Sequence, residues 1–166
     1  MAETVPPEVG DDAPTFTAPI ADREGISTRS LDDYRNGTPT VLAFFPAAFS
    51  TTCTTEFNTF RDRLGPLADE EATVLGISTD LPWALAEFRE VEALPFPLVA
   101  DNDAAICTDY GVSTRYERLG IDSVARRSVF VLDTDGKIRH RWLANDPGTE
   151  PDYDAVSAAV DDVALN

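Results

Sequence analysis

Lysine is almost missing from this chain of 166 residues: Lys137 stands alone, and every other basic residue is an arginine. Thirty acidic residues face thirteen basic ones, which leaves a formal net charge of −17. Nucleic acid and anionic membrane surfaces are thereby poor partners, because phosphate is held by clustered lysine and arginine. The same composition is expected of a protein working in concentrated salt, where self-repulsion is screened.

Cysteine and histidine are scarce too. Cys53 and Cys107 are too few for a disulfide framework in a chain this long. With one histidine, His140, at an unrelated spacing, no metal site is expected. A cysteine-protease pair lacks a partner for the same reason. The residue three beyond Cys53 is Glu56, so no CxxC redox motif exists there. No stretch approaches the roughly 20 apolar residues of a membrane span. The N-terminal MAETVPPEVGDDAPTF has neither the positive start nor the apolar run of a secretory signal. A cytoplasmic, reducing compartment is the expectation.

What remains is a chain that is 43% hydrophobic, long enough to bury a core as one domain over 1–166. Residues 1–12, acidic and proline-bearing, are expected to form a loose lead-in. Short apolar stretches from Pro14 to Thr28 flank a turn at Asp22–Gly25, which predicts a β-hairpin. Ser30 is placed to cap one helical turn. Thr40–Phe45 (TVLAFF) and Ala72–Ser78 (ATVLGIS) are continuous enough for strands buried on both faces. Between them the spacing of Phe57, Phe60 and Leu64 predicts a helix from about Cys53. Helices follow over 82–92, 103–110 and 152–165, with a short strand at 96–99. Ser128–Leu132 and Ile138–Leu143 form a second hairpin around Asp133-Thr134-Asp135-Gly136. Early crossovers make the first strands parallel, and the late hairpin adds an antiparallel pair. The fold class is α/β, with a mixed central sheet flanked by helices.

The segment that carries chemistry is Pro46–Glu56, PAAFSTTCTTE, between a buried strand and a helix. A cysteine in the first turn of a helix faces free backbone N–H groups and the positive end of the helix dipole. Both favour thiolate, and cysteines so placed fall to pKa values of roughly 3.5–7.5. Pro46 ends the strand and keeps one N–H out of the pocket. The competing interpretation is a small buried side chain that merely packs.

Pro46, Ser50 and Cys53 stand as proline, three residues, serine, two residues, cysteine, and Thr54-Thr55-Glu56-Phe57 follows. In this pattern the chain resembles the peroxiredoxin family, also called the alkyl hydroperoxide reductase/thiol-specific antioxidant family. ISTD (77–80), FPLVAD (96–101), YGV (110–112) and RSVFVLDTDGKI (127–138) are similar to further family segments in the same order. The similarity spans about residues 13–145. It implies a thioredoxin-like fold with an N-terminal β-hairpin extension, and a peroxidase that needs no cofactor beyond an external thiol reductant.

The resemblance implies Cys53 as the nucleophile that attacks a hydroperoxide. It implies Ser50 as a hydroxyl donor to sulfur and peroxide, Pro46 as the residue shielding the site, and Arg127 as a guanidinium beside the thiolate. Glu56 would hold the arginine, and the N–H groups of Thr52 and Cys53 would bind the peroxide. Arg126 is adjacent to Arg127, and strand parity does not choose between them, but the spacing to Phe130 and Asp133 favours Arg127. Cys107 does not fall at a resolving position known in the family and is expected to be a packed core residue. The chain is therefore closest to one-cysteine types, the AhpE-like and bacterioferritin-comigratory-protein-like branches. Its reductant would be a thioredoxin-like protein or a low-molecular-weight thiol, and a homodimer is the expected assembly. Two rivals stay open here. One is a disulfide oxidoreductase using Cys53 and Cys107, and the other is a non-catalytic thioredoxin-fold holdase or interaction module.

Overall fold

The structure is a computed structural model that describes residues 5–64 and 72–164. Its strands are β1 (Thr17–Asp22), β2 (Gly25–Ser30), β3 (Thr40–Phe44), β4 (Thr73–Ser78), β5 (Leu98–Ala100), β6 (Ser113–Tyr116), β7 (Ile121–Ala125), β8 (Ser128–Leu132) and β9 (Ile138–Leu143). Its helices are α1 (Thr51–Leu64), α2 (Pro82–Val91), α3 (Ala105–Asp109) and α4 (Tyr153–Ala164). Seven strands form one sheet in the order β2-β1-β5-β4-β3-β8-β9. The inner strands β3, β4 and β5 are parallel, while β8 runs antiparallel to β3 and β9 antiparallel to β8.

The apolar runs form strands because both faces of the sheet are covered. On one face Val41, Ala43 and Phe45 meet Phe57 and Phe60 of α1, Phe88 of α2 and Val156 and Val160 of α4. On the other, Leu42, Phe44, Leu75 and Phe130 meet Ile106 and Cys107 of α3 together with Tyr110 and Leu31. Alternation along each strand thus sorts its residues into two cores. Gly76 sets the depth of α1. A Cβ there would lie 2.8 Å from Cε1 of Phe57 and 2.6 Å from Cδ2 of Leu98. Only a residue without a side chain lets the Phe57 ring press onto β4.

Local signals match the turns. Ser30 and Asp33 form a reciprocal capping box around the turn Leu31–Asp33. Asp133 Oδ1 accepts from the N–H groups of Asp135 and Lys137, closing the β8–β9 hairpin, with Gly136 at φ +85°. Two features differ from expectation. Residues 5–12 are docked rather than loose. Gly10 N donates to Ile138 O, Ile138 N to Asp11 O, and Arg141 Nη1 to the carbonyls of Pro6 and Pro7. The outer edge of β9 had unpaired backbone groups and an arginine, and the lead-in satisfies both. The second difference is a ribbon of β6 and β7, separate from the main sheet, where the sequence predicts no strand. Its residues are mostly exposed and carry no apolar alternation, and only Val124 and Ala125 at the end of β7 are buried. Leu165, the expected end of the last helix, lies outside the described residues.

Candidate active site

The ladder between β3 and β4 continues one residue past the strand, with Phe45 N donating to Ile77 O, and stops at Pro46, which has no N–H to give. Pro46 is buried. The chain then turns through Ala47–Ser50, with Phe49 in the left-handed region at φ +67°. Non-glycine residues seldom adopt that backbone, so something must hold the turn. Asp80, just after β4, supplies the hold: its Oδ2 accepts from Ala48 N and from Ser78 Oγ, both at 2.7 Å. The Phe49 ring also lies edge-on to Phe88, with centroids 5.1 Å apart.

Helix α1 begins at Thr51, and the first bond of helical spacing runs from Thr54 N to Ser50 O. Cys53 is therefore the third helical residue, inside the turn whose N–H groups have no acceptor within the helix. Its side chain is fully buried. The sulfur accepts from Arg127 Nη2 at 3.1 Å. The same guanidinium donates through Nη1 to Glu56 Oε1 at 2.5 Å, and through Nε and Nη2 to the carbonyl of Pro147. Cys53 and Glu56 are three residues apart and so share one face of α1. Arg127, at the head of β8, reaches both. Its neighbour Arg126 points elsewhere and donates to the Ala144 carbonyl, which resolves the ambiguity left by strand parity.

The electrostatics follow from burial. Desolvation pushes the Glu56 carboxyl up to about 8, although the Arg127 guanidinium pulls it down. Glu56 Oε2 has no hydrogen-bond partner among the described residues. Burial works against the Arg127 charge, but Glu56 and Cys53 outweigh it and raise the guanidinium's pKa. The ionised forms of both Glu56 and Cys53 thus favour the Arg127 cation against its burial.

The structure thus brings Cys53, Glu56 and Arg127 into direct contact, with Pro46 at the end of the adjoining strand. Ser50 and Thr52 are half-buried beside them, and neither hydroxyl makes a hydrogen bond among the described residues. Ser50 Oγ thus makes no hydrogen bond to the sulfur. Asp80, Tyr116 and the Pro147 carbonyl belong to the surroundings without having been singled out from the sequence. Asp80 sits in the ISTD segment, but its role requires knowing that β4 ends beside the Pro46 loop. Among the described residues no group of three or more His, Cys, Asp or Glu side chains is gathered to hold a metal ion. No helix among them is long and apolar enough to cross a membrane.

A buried sulfur with a guanidinium fixed against it can attack an electrophile without a histidine base. Comparison with known proteins identifies the setting. Residues 9–141 match the model of the AhpC/TSA family. The chain belongs to that family, the peroxiredoxins. A Mycobacterium tuberculosis protein assigned to the peroxiredoxins is 41% identical over 140 residues, covering 83% of this chain and 86% of that one. Peroxiredoxin Bcp of Escherichia coli is 37% identical over 137 residues, covering 81% and 85%. The crystal structure of peroxidoxin BcpB from Mycobacterium tuberculosis superposes with a TM-score of 0.80 at 30% identity, over 93% of this chain and 97% of that one. The sheet and its helices are those of a thioredoxin-like fold. As a peroxiredoxin the chain is a thiol-dependent peroxidase, an enzyme type that works through cysteine and an external thiol and carries no prosthetic group.

Proposed function

We propose that Cys53 is the peroxidatic nucleophile and that hydrogen peroxide and organic hydroperoxides are its substrates. The observation that carries this is the 3.1 Å contact between Arg127 Nη2 and Cys53 Sγ, made in the first turn of α1. In the reaction the thiolate sulfur attacks one peroxide oxygen, an S–O bond forms and the O–O bond breaks. Sulfur is oxidised by two electrons to sulfenic acid, and the other oxygen leaves as hydroxide or alkoxide and takes a proton from solvent. Arg127 stabilises the negative charge as it moves from sulfur to the departing oxygen. The N–H groups of Thr52 and Cys53 and the Ser50 hydroxyl complete the binding of peroxide. Pro46 shields the sulfur from water. Glu56 holds the guanidinium in place.

The sulfenic acid is returned to thiol by an external reductant, a thioredoxin-like protein or a low-molecular-weight thiol. Cys107 is a poor internal partner because it packs in the core on the opposite face of the sheet from Cys53. Burial, then Asp101, also pushes its thiol pKa strongly upward, so it lacks the thiolate character exchange requires. The reading extends to one peroxidase domain over 1–166, working in a salt-rich cytoplasm as a homodimer. Assay of Cys53→Ser and Cys107→Ser with hydrogen peroxide under excess thiol tests it. Turnover falls to the uncatalysed background in the first variant and persists in the second. Persistence in Cys53→Ser, or a Cys53–Cys107 disulfide in most molecules after one equivalent of peroxide, refutes it.

A further inference from the structure

The β6–β7 ribbon lies beside the candidate site, and its register slips between Thr114 and Tyr116. A slip of this kind bends the strand and re-aims the side chain next to it. Tyr116 there lines a pocket of about 100 Å³ with Thr114, Arg127, Asn145, Asp146 and Pro147. Arg127 connects this pocket to the sulfur, since the residue that forms part of its wall also donates to Cys53 Sγ. The other three tyrosines commit their hydroxyls, Tyr34 to Asp22, Tyr110 to the Pro14 carbonyl and Tyr153 to Glu150. The Tyr116 hydroxyl has no hydrogen bond among the described residues, although the residue is half-buried.

We propose that Tyr116 is a catalytic residue of the peroxidase reaction: a small, uncharged hydroperoxide lies across Arg127 with its attacked oxygen at Cys53 and its departing oxygen towards this pocket, where the Tyr116 hydroxyl donates a hydrogen bond to it. The inference rests on Cys53 being the nucleophile. When the sulfur takes the HO group, the O–O electron pair stays on the departing oxygen, and the phenol stabilises that charge until a solvent proton neutralises it. Burial raises the Tyr116 pKa, Arg127 opposes this, and charge on Cys53 and Asp146 adds to it, so the phenol remains a donor. The pocket has room for hydrogen peroxide or a short alkyl hydroperoxide, and the Tyr116 ring is part of the wall a bulky group would have to displace. The Asp146 carboxylate disfavours hydroperoxides that carry a carboxylate.

The test is the single-turnover rate of Cys53 oxidation, followed by rapid quench, thiol alkylation and peptide mass spectrometry. Wild type, Tyr116→Phe and Tyr116→Ala are compared with hydrogen peroxide and with cumene hydroperoxide. Loss of one preorganised donor slows Tyr116→Phe about 10- to 100-fold on both substrates. Opening the wall in Tyr116→Ala raises the cumene-to-hydrogen-peroxide rate ratio by about tenfold. A Tyr116→Phe rate within about twofold of wild type, or an unchanged ratio in Tyr116→Ala, overturns the role of Tyr116 and leaves that of Cys53 standing. Oxidation of the wild type at a residue other than Cys53 overturns both.

Discussion

Arg127 is one cation facing two groups that each carry negative charge when ionised, Cys53 and Glu56, and all three are buried. In a low-dielectric setting the guanidinium contact is worth most while charge is shifting off the sulfur. Arg127→Gln keeps a donor but removes the charge. The rate constant for Cys53 oxidation by hydrogen peroxide is then expected to fall about 100- to 1,000-fold, measured by competition with a reference peroxidase. Glu56 leaves a mark on stability instead. Its carboxyl ionises near the ordinary value of 4.5 when unfolded and near 8 when folded, so the folded state binds more protons between those values. This contribution is complete below 4.5 and is lost as pH rises towards 8. Glu56→Gln should flatten that part of the pH dependence. Parallel wild-type and variant curves of urea-unfolding free energy across that window would contradict the assignment.

At the scale of elements, the reactive turn is held by things outside it. Helix α1 rests on β4 through Phe57 against Gly76, and Asp80 beyond β4 ties down the loop that leads into α1. The position of Cys53 thus depends on a strand that contributes none of the reacting groups. Gly76→Ala forces a methyl group against Phe57 and the Leu98 side chain, and overpacking of this kind costs about 1–3 kcal/mol. Thermal denaturation should show a lowered midpoint, and because α1 must lift, Cys53 oxidation should slow as well. A variant with wild-type stability would mean that the contact relaxes freely and does not set the helix depth.

At the scale of the whole molecule, a net charge of −17 on 166 residues opposes compaction through self-repulsion. Salt relieves this, because the Debye length shortens from about 10 Å at 0.1 M to about 3 Å at 1 M. The melting temperature is therefore expected to climb as sodium chloride rises from low salt into the molar range, read by differential scanning fluorimetry. A flat or falling midpoint would remove the high-salt reading of the composition. The contact between Arg127 and Cys53 spans only 3.1 Å in a buried site and is screened far less, so Cys53 oxidation is expected to depend on salt less than the melting temperature does.

Most of the sheet was legible in the residues themselves. Thr40–Phe44 and Thr73–Ser78 are apolar runs that only a doubly covered strand accommodates, and Pro46 and the Asp133–Gly136 turn mark where pairing must end. Cys53 was legible because helix spacing and the proline before it put a sulfur in a first turn. Other features are not written locally. The β6–β7 ribbon has no apolar alternation, the docking of residues 5–12 depends on the free edge of β9, and the contact of Arg127 with Cys53 requires β8 to meet α1. Sequence by itself determined the strands of the main sheet, the helices and the placing of Cys53 in a first helical turn, since these follow from spacing along one chain. Tertiary structure alone decided what anchors the loop and where Tyr116 stands, because each depends on residues dozens of positions apart meeting in the fold.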